Sequence, residues 1–450
     1  MSIYGKTYRG VLWPLYETLR GRQTPRLRKA AEHNQWKTPS ELHALQWTEL
    51  QKLLHHAYAH SPFYRKVFDQ LDLPPTKIRT PEEYARLPCL TKDDIRQHRE
   101  EMLASQFRGR MYEHKTGGST GVPLQFYINY GSYEWRRAVT LRGYGWAGCE
   151  EADRSFYVWG APIGTPPWKQ RLKTSLHHAV LGQKVFSSFR FSETAMQECA
   201  RQINAFKPGT IVGYTNALYL LAQFLIEHKL AAASPQAVIT AAEAVNPVQR
   251  QVIEQAFGAP VFGSYGSREF MLLAMECNRH QGLHISSDNV YLEVVTNGKP
   301  VAPGEHGEIL ITDLHNYAMP FIRYKIGDVG LLTSTHCSCG RGLPMLDKVE
   351  GRVLDIIRTA DGRIIPGEFF PHLMKEFSAV KQFQVVQKRI DLLQIKLVLR
   401  DGEYAEQLRG IRQEIGRVVG DAITVNLERV DEIPQSDSGK FRVTVSEIVT

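Results

Sequence analysis

Hydrophobic positions in the first quarter of the chain recur at the spacing of a helix face. Between residues 39 and 105, leucine and tyrosine return every three or four residues, which is typical of amphipathic helices. The sequences TPEE at residues 80–83 and TKDD at residues 91–94 each place a hydroxyl cap before acidic first-turn residues. We therefore predict that residues 1–105 are mostly helical.

From about residue 110 to 350, short apolar runs alternate with helical patterns. The candidate strands are Arg154–Gly160, Thr210–Gly213, Ala237–Ala241 and Pro260–Gly263. The candidate helices between them are Ser192–Phe206, Ala217–His228 and Pro247–Phe257. This alternation predicts an α/β body with a largely parallel sheet.

The pattern changes after Arg352. Strands are predicted at Ala379–Val386, Leu392–Leu399 and Ala422–Val430, with a helix at Tyr404–Val419. About 100 residues of this kind are enough for a small independent domain. We predict two domains, residues 1–352 and residues 353–450, of α/β and α+β class respectively.

Composition narrows the class of protein. Of 450 residues, 43% are hydrophobic and 23% charged, values of ordinary globular proteins rather than disordered or fibrous ones. The longest apolar stretch, residues 210–226, is interrupted by Asn216 and Gln223 and is too short to span a bilayer. No secretory signal is evident, and six cysteines are too few for a disulfide scaffold. These features predict a reduced, cytoplasmic protein.

The positive charge is concentrated at one end. The formal net charge is +8, and residues 1–30 contain seven basic residues and one acidic residue among aromatic and aliphatic side chains. This pattern fits contact with an anionic membrane surface. It also fits an arm that packs on the body, because Pro14 is expected to interrupt a continuous amphipathic helix. No basic stripe of a nucleic-acid-binding protein is present elsewhere.

A glycine-rich loop is the first candidate for chemistry. Residues 115–123 read KTGGSTGVP, and glycines with hydroxyl neighbours can wrap closely around a polyphosphate. Val122 follows the last glycine, so this is not a Walker A loop. Taken alone, the segment could equally be a tight surface turn.

Further motifs follow the loop in a fixed order. They are TAAEA at residues 240–244, SYGSRE at 264–269, RYKIGD at 323–328, GRVLD at 351–355 and SGKFR at 438–442. Their order and spacing resemble the adenylate-forming superfamily of acyl- and aryl-CoA synthetases. The branch they resemble most is the phenylacetate–CoA ligase-like proteins, which includes members linked to capsular polysaccharide synthesis. The resemblance runs from about residue 40 to 445.

The resemblance implies a fold, a reaction and cofactors. The fold would be a large α/β body with a small, mobile C-terminal domain. The reaction would be ATP-dependent adenylation of a carboxylic acid, which needs Mg²⁺, followed by transfer to coenzyme A. An amine or sugar could replace coenzyme A as acceptor, and a scaffold without activity is a further alternative.

The resemblance also implies roles for individual residues. Thr116, Gly117, Gly118, Ser119, Thr120 and Gly121 would hold the phosphates, and Glu243 lies in a nucleotide motif. Glu269 would bind Mg²⁺, although alone it could be a surface partner of Arg268. Tyr265 would stack on adenine, Asp328 would bind the ribose, and Arg352 would contact ribose or phosphate. Lys440 would be the catalytic lysine that bridges carboxylate and α-phosphate.

Two positions depart from the family pattern. Val122 replaces a lysine that is common in the phosphate loop, which removes one charge contact. Leu354 stands where relatives often have a polar or charged hinge residue. The hinge residue would absorb the rotation of the C-terminal domain between the two half-reactions.

The cysteines form a second candidate site. Cys337 and Cys339 flank one residue, and Cys277 lies about sixty residues earlier, with His280 and His284 nearby. Three sulfurs and one imidazole suit a closed structural Zn²⁺ site, whereas the alternative is a set of reduced thiols. The resemblance favours His284 over His280.

The acid-binding pocket is the least defined feature. Tyr157, Trp159, Tyr214 and Ser264 are the candidates, and they would suit an aromatic or flat apolar acid. The same side chains are equally expected in an ordinary core.

Overall fold

The computed structural model describes most of the chain and divides it into two compact units. The residues not described are 1–2, 117–123, 161–167, 190–191, 351–356, 362–363, 366, 368, 375, 401, 403, 421–422, 434–442 and 449–450. The first unit contains residues 1–114, 125–151 and 262–351, and the second contains residues 115–124, 152–261 and 352–450.

The described helices are α1 (Ile3–Thr7), α2 (Trp13–Leu19), α3 (Thr24–Asn34), α4 (Pro39–His60), α5 (Pro62–Gln70), α6 (Pro81–Tyr84), α7 (Lys92–Met102), α8 (Tyr130–Trp146), α9 (Trp168–Val180), α10 (Glu193–Phe206), α11 (Thr215–Glu227), α12 (Pro247–Phe257), α13 (Phe369–Met374) and α14 (Ala405–Val419). The described strands are β1 (Met111–Lys115), β2 (Gln125–Asn129), β3 (Ser155–Trp159), β4 (Gln183–Ser187), β5 (Thr210–Tyr214), β6 (Ala237–Ala241), β7 (Val261–Ser267), β8 (Met271–Glu276), β9 (Leu283–Ile285), β10 (Val290–Thr296), β11 (Lys299–Pro300), β12 (His306–Asp313), β13 (Tyr324–Leu332), β14 (Met345–Glu350), β15 (Ile357–Arg358), β16 (Ile364–Ile365), β17 (Val380–Arg389), β18 (Leu392–Leu399), β19 (Thr424–Arg429) and β20 (Thr444–Ser446).

The predicted helices of residues 39–105 are confirmed. Thr38, Thr80 and Thr91 each accept the backbone N–H three residues ahead, and the acidic residue at that position bonds back to the cap. These reciprocal bonds satisfy N–H groups that the first helical turn leaves without partners. Local sequence therefore fixes where α4, α6 and α7 begin.

Pro14 does not interrupt the N-terminal helix as the sequence predicted. The helical backbone runs from Ile3 to Leu19, with a π-helical turn at Tyr8–Leu12 just before the proline. The Trp13 N–H bonds to the Tyr8 carbonyl, five residues back. Pro14, which has no N–H to donate, then lies in the first turn of α2, where none is required.

The first unit contains an antiparallel sheet of eight neighbouring strands. Their order is β11-β10-β12-β13-β14-β9-β8-β7, and each neighbouring pair is antiparallel. The expectation of a largely parallel sheet is wrong for this stretch. No described helix lies between β7 and β14 to make a crossover, and strands joined by short turns pair antiparallel.

The second unit contains the parallel sheet that the sequence predicted. Strands β4, β3, β5 and β6 are neighbours in that order, and all pairs are parallel. A second sheet, β19-β18-β17-β20, lies in the C-terminal part. Side chains of α11, α13 and β17, including Leu221, Phe370 and Phe383, belong to one hydrophobic cluster. Their burial is the main stabilising contribution in this unit.

One buried arginine ties together four segments of the first unit. The Arg323 Nε and Nη2 atoms donate to the Glu293 carboxylate on β10. Its Nη1 donates to the carbonyls of Ala85 and Leu87, and Nη2 also donates to the Gly298 carbonyl. Burial raises the pKa of the Glu293 carboxyl group, and the positive charge of Arg323 acts in the opposite direction. The guanidinium thereby fixes the start of β13.

None of the described helices is both long and apolar enough to cross a membrane.

Arg323→Ala is expected to lower the free energy of unfolding by about 3–5 kcal/mol, because it leaves the buried Glu293 charge without its partner. The matched control is Lys325→Ala on the same strand, whose ion pair with Glu308 is exposed and contributes about 0–1 kcal/mol. Chemical denaturation measures both. Equal losses in the two variants would show that Arg323 does not hold the fold.

Candidate functional site

Two predicted nucleotide residues meet in the first unit. Tyr265 lies on β7 and Asp328 on β13, and the Tyr265 hydroxyl donates to Asp328 Oδ2 at 2.9 Å. Gly266, next to Tyr265, stands where a Cβ would lie 2.2 Å from the Met271 carbonyl oxygen. The SYGSRE motif thus requires glycine at this point for β7 and β8 to approach. The hydrogen bond from the Tyr265 hydroxyl thereby fixes the orientation of the Asp328 carboxylate.

Glu269 is buried rather than exposed beside Arg268. It follows β7, and only 5% of the residue is exposed. The Tyr324 hydroxyl donates to its Oε1 at 3.0 Å, and Tyr324 is the first residue of β13. A buried carboxylate needs a hydrogen-bond partner or a cation, so this position differs from that of a surface ion-pair partner. Asp328 and Tyr324 share one strand, which places both contacts on β13.

In the second unit, Glu243 closes the TAAEA turn against α11. Its carboxylate accepts the Asn216 backbone N–H at 3.0 Å and the Asn216 side-chain amide at 2.6 Å. The Thr215 hydroxyl donates to its carbonyl at 2.7 Å. A carboxylate at the N-terminus of a helix is favoured by the helix dipole. Ala242, just before it, has a φ of 71°, a conformation that costs about 1–2 kcal/mol for a residue with a Cβ.

The described part of the phosphate loop is its first residue. The Thr116 hydroxyl accepts the Leu124 N–H at 3.0 Å, and the Thr116 N–H donates to the Leu124 carbonyl. This pairing brings the two ends of the loop together. Gly117, Gly118, Ser119, Thr120 and Gly121 lie outside the described residues, as do Val122, Arg352, Leu354 and Lys440.

Two of the aromatic pocket candidates lie at one edge of the parallel sheet. Trp159 ends β3 and Tyr214 ends β5, and their ring centroids are 4.4 Å apart. Tyr157, two residues before Trp159, is half-buried on the same face of β3. Ser264 is half-buried on β7 in the first unit. The carboxyl ends of parallel strands are the usual ligand-binding edge of such sheets.

His372 is a neighbour of this pair that the sequence did not reveal. It lies on α13, and its Nε2 is 3.3 Å from the Tyr214 hydroxyl oxygen. The Phe189 ring also packs on the imidazole, with centroids 5.6 Å apart. His372 belongs to none of the sequence motifs, so only its contact with Tyr214 in the structure identifies it.

The predicted thiol site is assembled in the first unit. One donor atom from each of Cys277, His284, Cys337 and Cys339 lies within 4.8 Å of the other three. The Cys277 and Cys337 sulfurs are 3.6 Å apart, and the Cys339 sulfur is 3.4 Å from His284 Nε2. His280 instead bonds through Nδ1 to Glu276, at 3.0 Å. Three sulfurs and one imidazole match the donor set of structural Zn²⁺.

The electrostatics of the cluster fit metal ligands. Burial lowers the pKa of His284 to about 4, so its imidazole is neutral and able to bind a metal at pH 7. Burial raises the pKa of Cys277 to about 12. For Cys339 burial acts in the same direction, but the Arg341 N–H and side chain and the neighbouring thiols outweigh it and lower the pKa. A cation would be needed to hold all three sulfurs as thiolates.

Side chains around the cysteine cluster connect the loop of residues 337–342 with the segment that follows α3. Gln35 accepts from both Trp146 Nε1 and Arg341 Nε, at 2.8 and 2.9 Å. The Arg341 guanidinium carbon lies 4.9 Å from the Trp36 and Trp146 ring centroids. The sequence did not predict these contacts, because Gln35, Trp146 and Arg341 are more than a hundred residues apart in the chain. At Gly342, a Cβ would lie 2.0 Å from the Lys37 carbonyl oxygen.

Comparison with known proteins gives relatives along most of the chain. Residues 357–447 match the family model described as the CapK C-terminal domain. The protein CapK of Staphylococcus aureus is 25% identical over 419 residues, which cover 91% of this chain and 90% of CapK. The phenylacetate-coenzyme A ligase of Escherichia coli K12 is 26% identical over 426 residues, 90% of this chain and 94% of the ligase. The resemblance that the motifs indicated is confirmed.

Solved structures agree on the fold. The 2-hydroxyisobutyryl-CoA ligase in its postadenylation state has a TM-score of 0.61 at 20% identity, with 92% of both chains covered. The same ligase with 2-HIB-AMP and CoA in the thioesterification state has a TM-score of 0.61 at 21% identity, with 92% of this chain and 91% of the ligase covered. The predicted fold class, an α/β body with a small C-terminal α+β domain, is confirmed.

Gly342→Ala is expected to lower the free energy of unfolding by about 2 kcal/mol or more, because its Cβ would meet a backbone oxygen that belongs to another segment. Gly340→Ala is the matched control in the same loop. Gly340 has a φ of +82° but no atom within 4 Å of a Cβ, so we expect a loss of about 1 kcal/mol. Thermal and chemical denaturation of the two variants compare them, and the reverse order would contradict the close approach.

Proposed function

We propose that this chain, a relative of CapK and of the phenylacetate-coenzyme A ligases, is an AMP-forming acid–thiol ligase. In the first half-reaction a carboxylate oxygen attacks the α-phosphorus of ATP, and pyrophosphate leaves. In the second, the sulfur of coenzyme A attacks the acyl carbon, AMP leaves, and the thiol proton passes to solvent. The observation that carries the proposal is a pair of hydrogen bonds to β13: Tyr265 donates to Asp328 of this strand, and Tyr324 of this strand donates to Glu269.

The first half-reaction brings two anions together, so positive charge must lie between them. Glu269 would bind Mg²⁺, whose preference is for hard carboxylate oxygens. The Tyr324 hydroxyl orients that carboxylate, and burial keeps water from competing for it. The metal would neutralise the phosphates during pyrophosphate departure.

Nucleotide binding would use the second hydrogen-bonded pair. Asp328 would accept hydrogen bonds from the ribose hydroxyls, and Tyr265 would stack on adenine while its hydroxyl steadies the carboxylate. Thr116 begins the loop, residues 116–121, that would hold the departing phosphates. Arg352 would contact ribose or phosphate, and Lys440 would bridge the substrate carboxylate and the α-phosphate.

A structural Zn²⁺ ion would complete the cysteine cluster. Cys277, His284, Cys337 and Cys339 offer four ligands, which leaves no open position for catalysis. Cys277 follows β8, which begins two residues after Glu269, and Cys337 follows β13, which contains Asp328. The ion would therefore connect the ends of these two strands.

The direct test of the proposed function is pyrophosphate release from Mg-ATP with aryl, fatty and hydroxy acids, each with and without coenzyme A. We expect multiple-turnover release that requires both a cognate acid and coenzyme A. Acid-dependent release that is indifferent to coenzyme A would favour an amine or hydroxyl acceptor instead. Absence of ATP binding would favour a scaffold.

Lys440→Ala is expected to abolish pyrophosphate release while the variant still transfers acyl groups from preformed adenylate. The control is Lys388→Ala, which removes an exposed lysine paired with Glu447 in the same C-terminal region. Wild-type release from the Lys440 variant would remove the lysine from the mechanism.

For the cysteine cluster we expect one Zn²⁺ per chain by elemental analysis of protein never exposed to chelator. His284→Ala should lower both zinc content and thermal stability, because it removes one ligand. His280→Ala should leave zinc content unchanged, since that ring bonds to Glu276. Equal zinc loss in both variants, or metal-free wild-type protein, would contradict the assignment.

A further inference from the structure

One side of helix α9 carries an apolar stripe whose side chains are largely exposed. Every residue from Trp168 to Val180 is exposed or half-exposed. Trp168, Leu172 and Leu176 recur every fourth residue and are 68%, 53% and 59% exposed. Isolated helices of this length are marginal in water. A helix of 13 residues whose apolar side faces solvent is therefore incomplete without an apolar surface to rest on.

The charges around the stripe specify the kind of surface. Lys169, Arg171 and Lys173 are the charged residues of α9, and the helix contains no acidic residue. At 3.6 residues per turn, Lys173 lies along one side of the stripe and Arg171 along the other. The Lys169 ammonium lies 5.8 Å from the Trp168 ring centroid. Apolar side chains in the middle, a tryptophan at one end and flanking cations characterise helices that lie in a membrane interface.

We propose that α9 binds the surface of an anionic lipid bilayer. The apolar stripe would enter the boundary between headgroups and acyl chains, while the three cations would contact lipid phosphates. The helix is about 20 Å long at 1.5 Å per residue, so it would lie flat rather than span.

Other binding partners of α9 fit these observations less well. A second copy of the chain, packed α9 against α9 about a two-fold axis, would bring like charges together. A nucleic acid would satisfy the cations but leave the apolar stripe in water. An anionic bilayer satisfies both.

The N-terminal helix, residues 3–19, is a separate exposed surface and provides a matched control. Tyr8 and Trp13 are buried, which anchors that helix to the first unit. Leu15 and Leu19 on its outer side are 55% and 79% exposed and, like Leu172 and Leu176, are four residues apart. Two cations at this end are already bound: Arg9 in the helix donates to the Glu151 carbonyl, and Arg22, three residues beyond its end, pairs with Glu17.

The test is flotation of the full chain with phosphatidylcholine vesicles, with and without phosphatidylglycerol. We expect binding to the anionic vesicles, roughly tenfold weaker binding to the neutral ones, and weakening by salt. Leu172→Glu with Leu176→Glu should weaken anionic-vesicle binding by roughly tenfold or more. Because both leucines are exposed, circular dichroism should show an unchanged fold.

Leu15→Glu with Leu19→Glu should leave vesicle binding unchanged. The proposal is overturned if the wild-type chain does not float with anionic vesicles, or if the α9 variant binds as well as wild type. It is also overturned if the N-terminal pair alone abolishes binding. Concentration-dependent dimerisation that only the α9 variant loses, without vesicle binding, would assign the surface to a second copy.

Discussion

The placement of β13 depends on the buried guanidinium of Arg323. A charge taken out of water is stable only when its hydrogen bonds are satisfied, and here Glu293 and three backbone carbonyls accept them. These acceptors come from the segment around residue 86, from β10 and from the turn after it. Once they converge, Tyr324 follows directly in the chain, and its hydroxyl meets Glu269. Asp328 is reached four residues later, opposite Tyr265. The positions of the proposed nucleotide residues therefore depend on this buried ion pair.

Two further buried arginines form ion pairs in the first unit. Arg136 and Arg142 project from α8 and pair with Asp313 and Asp288, all four being almost wholly buried. Such pairs contribute little net stability compared with apolar packing, but a misplaced segment would leave a charge buried alone. We expect them to select one arrangement of helices on the sheet. The cysteine cluster lies in this framework, next to Trp146 at the end of α8.

In the second unit, packing rather than charge decides the arrangement. The parallel strands place Trp159, Tyr214 and the turn before Glu243 at one sheet edge, because all three strands run in the same direction. Helix α13 contributes His372 to the aromatic pair there, and the hydrophobic cluster joins the parallel sheet with the C-terminal one. The aromatic side chains at this edge are therefore part of the hydrophobic core of the second unit.

The sequence by itself determined the elements whose signals are local. Threonine caps fixed the starts of α4, α6 and α7, and alternation of apolar runs predicted β3, β5, β6 and their helices. Ordered motifs indicated the adenylate-forming resemblance, and the cysteine spacing indicated a metal site. Only the tertiary structure decided what depends on distant partners: the antiparallel pairing after residue 260, the burial of Glu269, and the contacts of His372 and Gln35. Hydrogen bonds and packing between residues tens to hundreds of positions apart leave no periodic trace along a chain, whereas helix caps and strand alternation do.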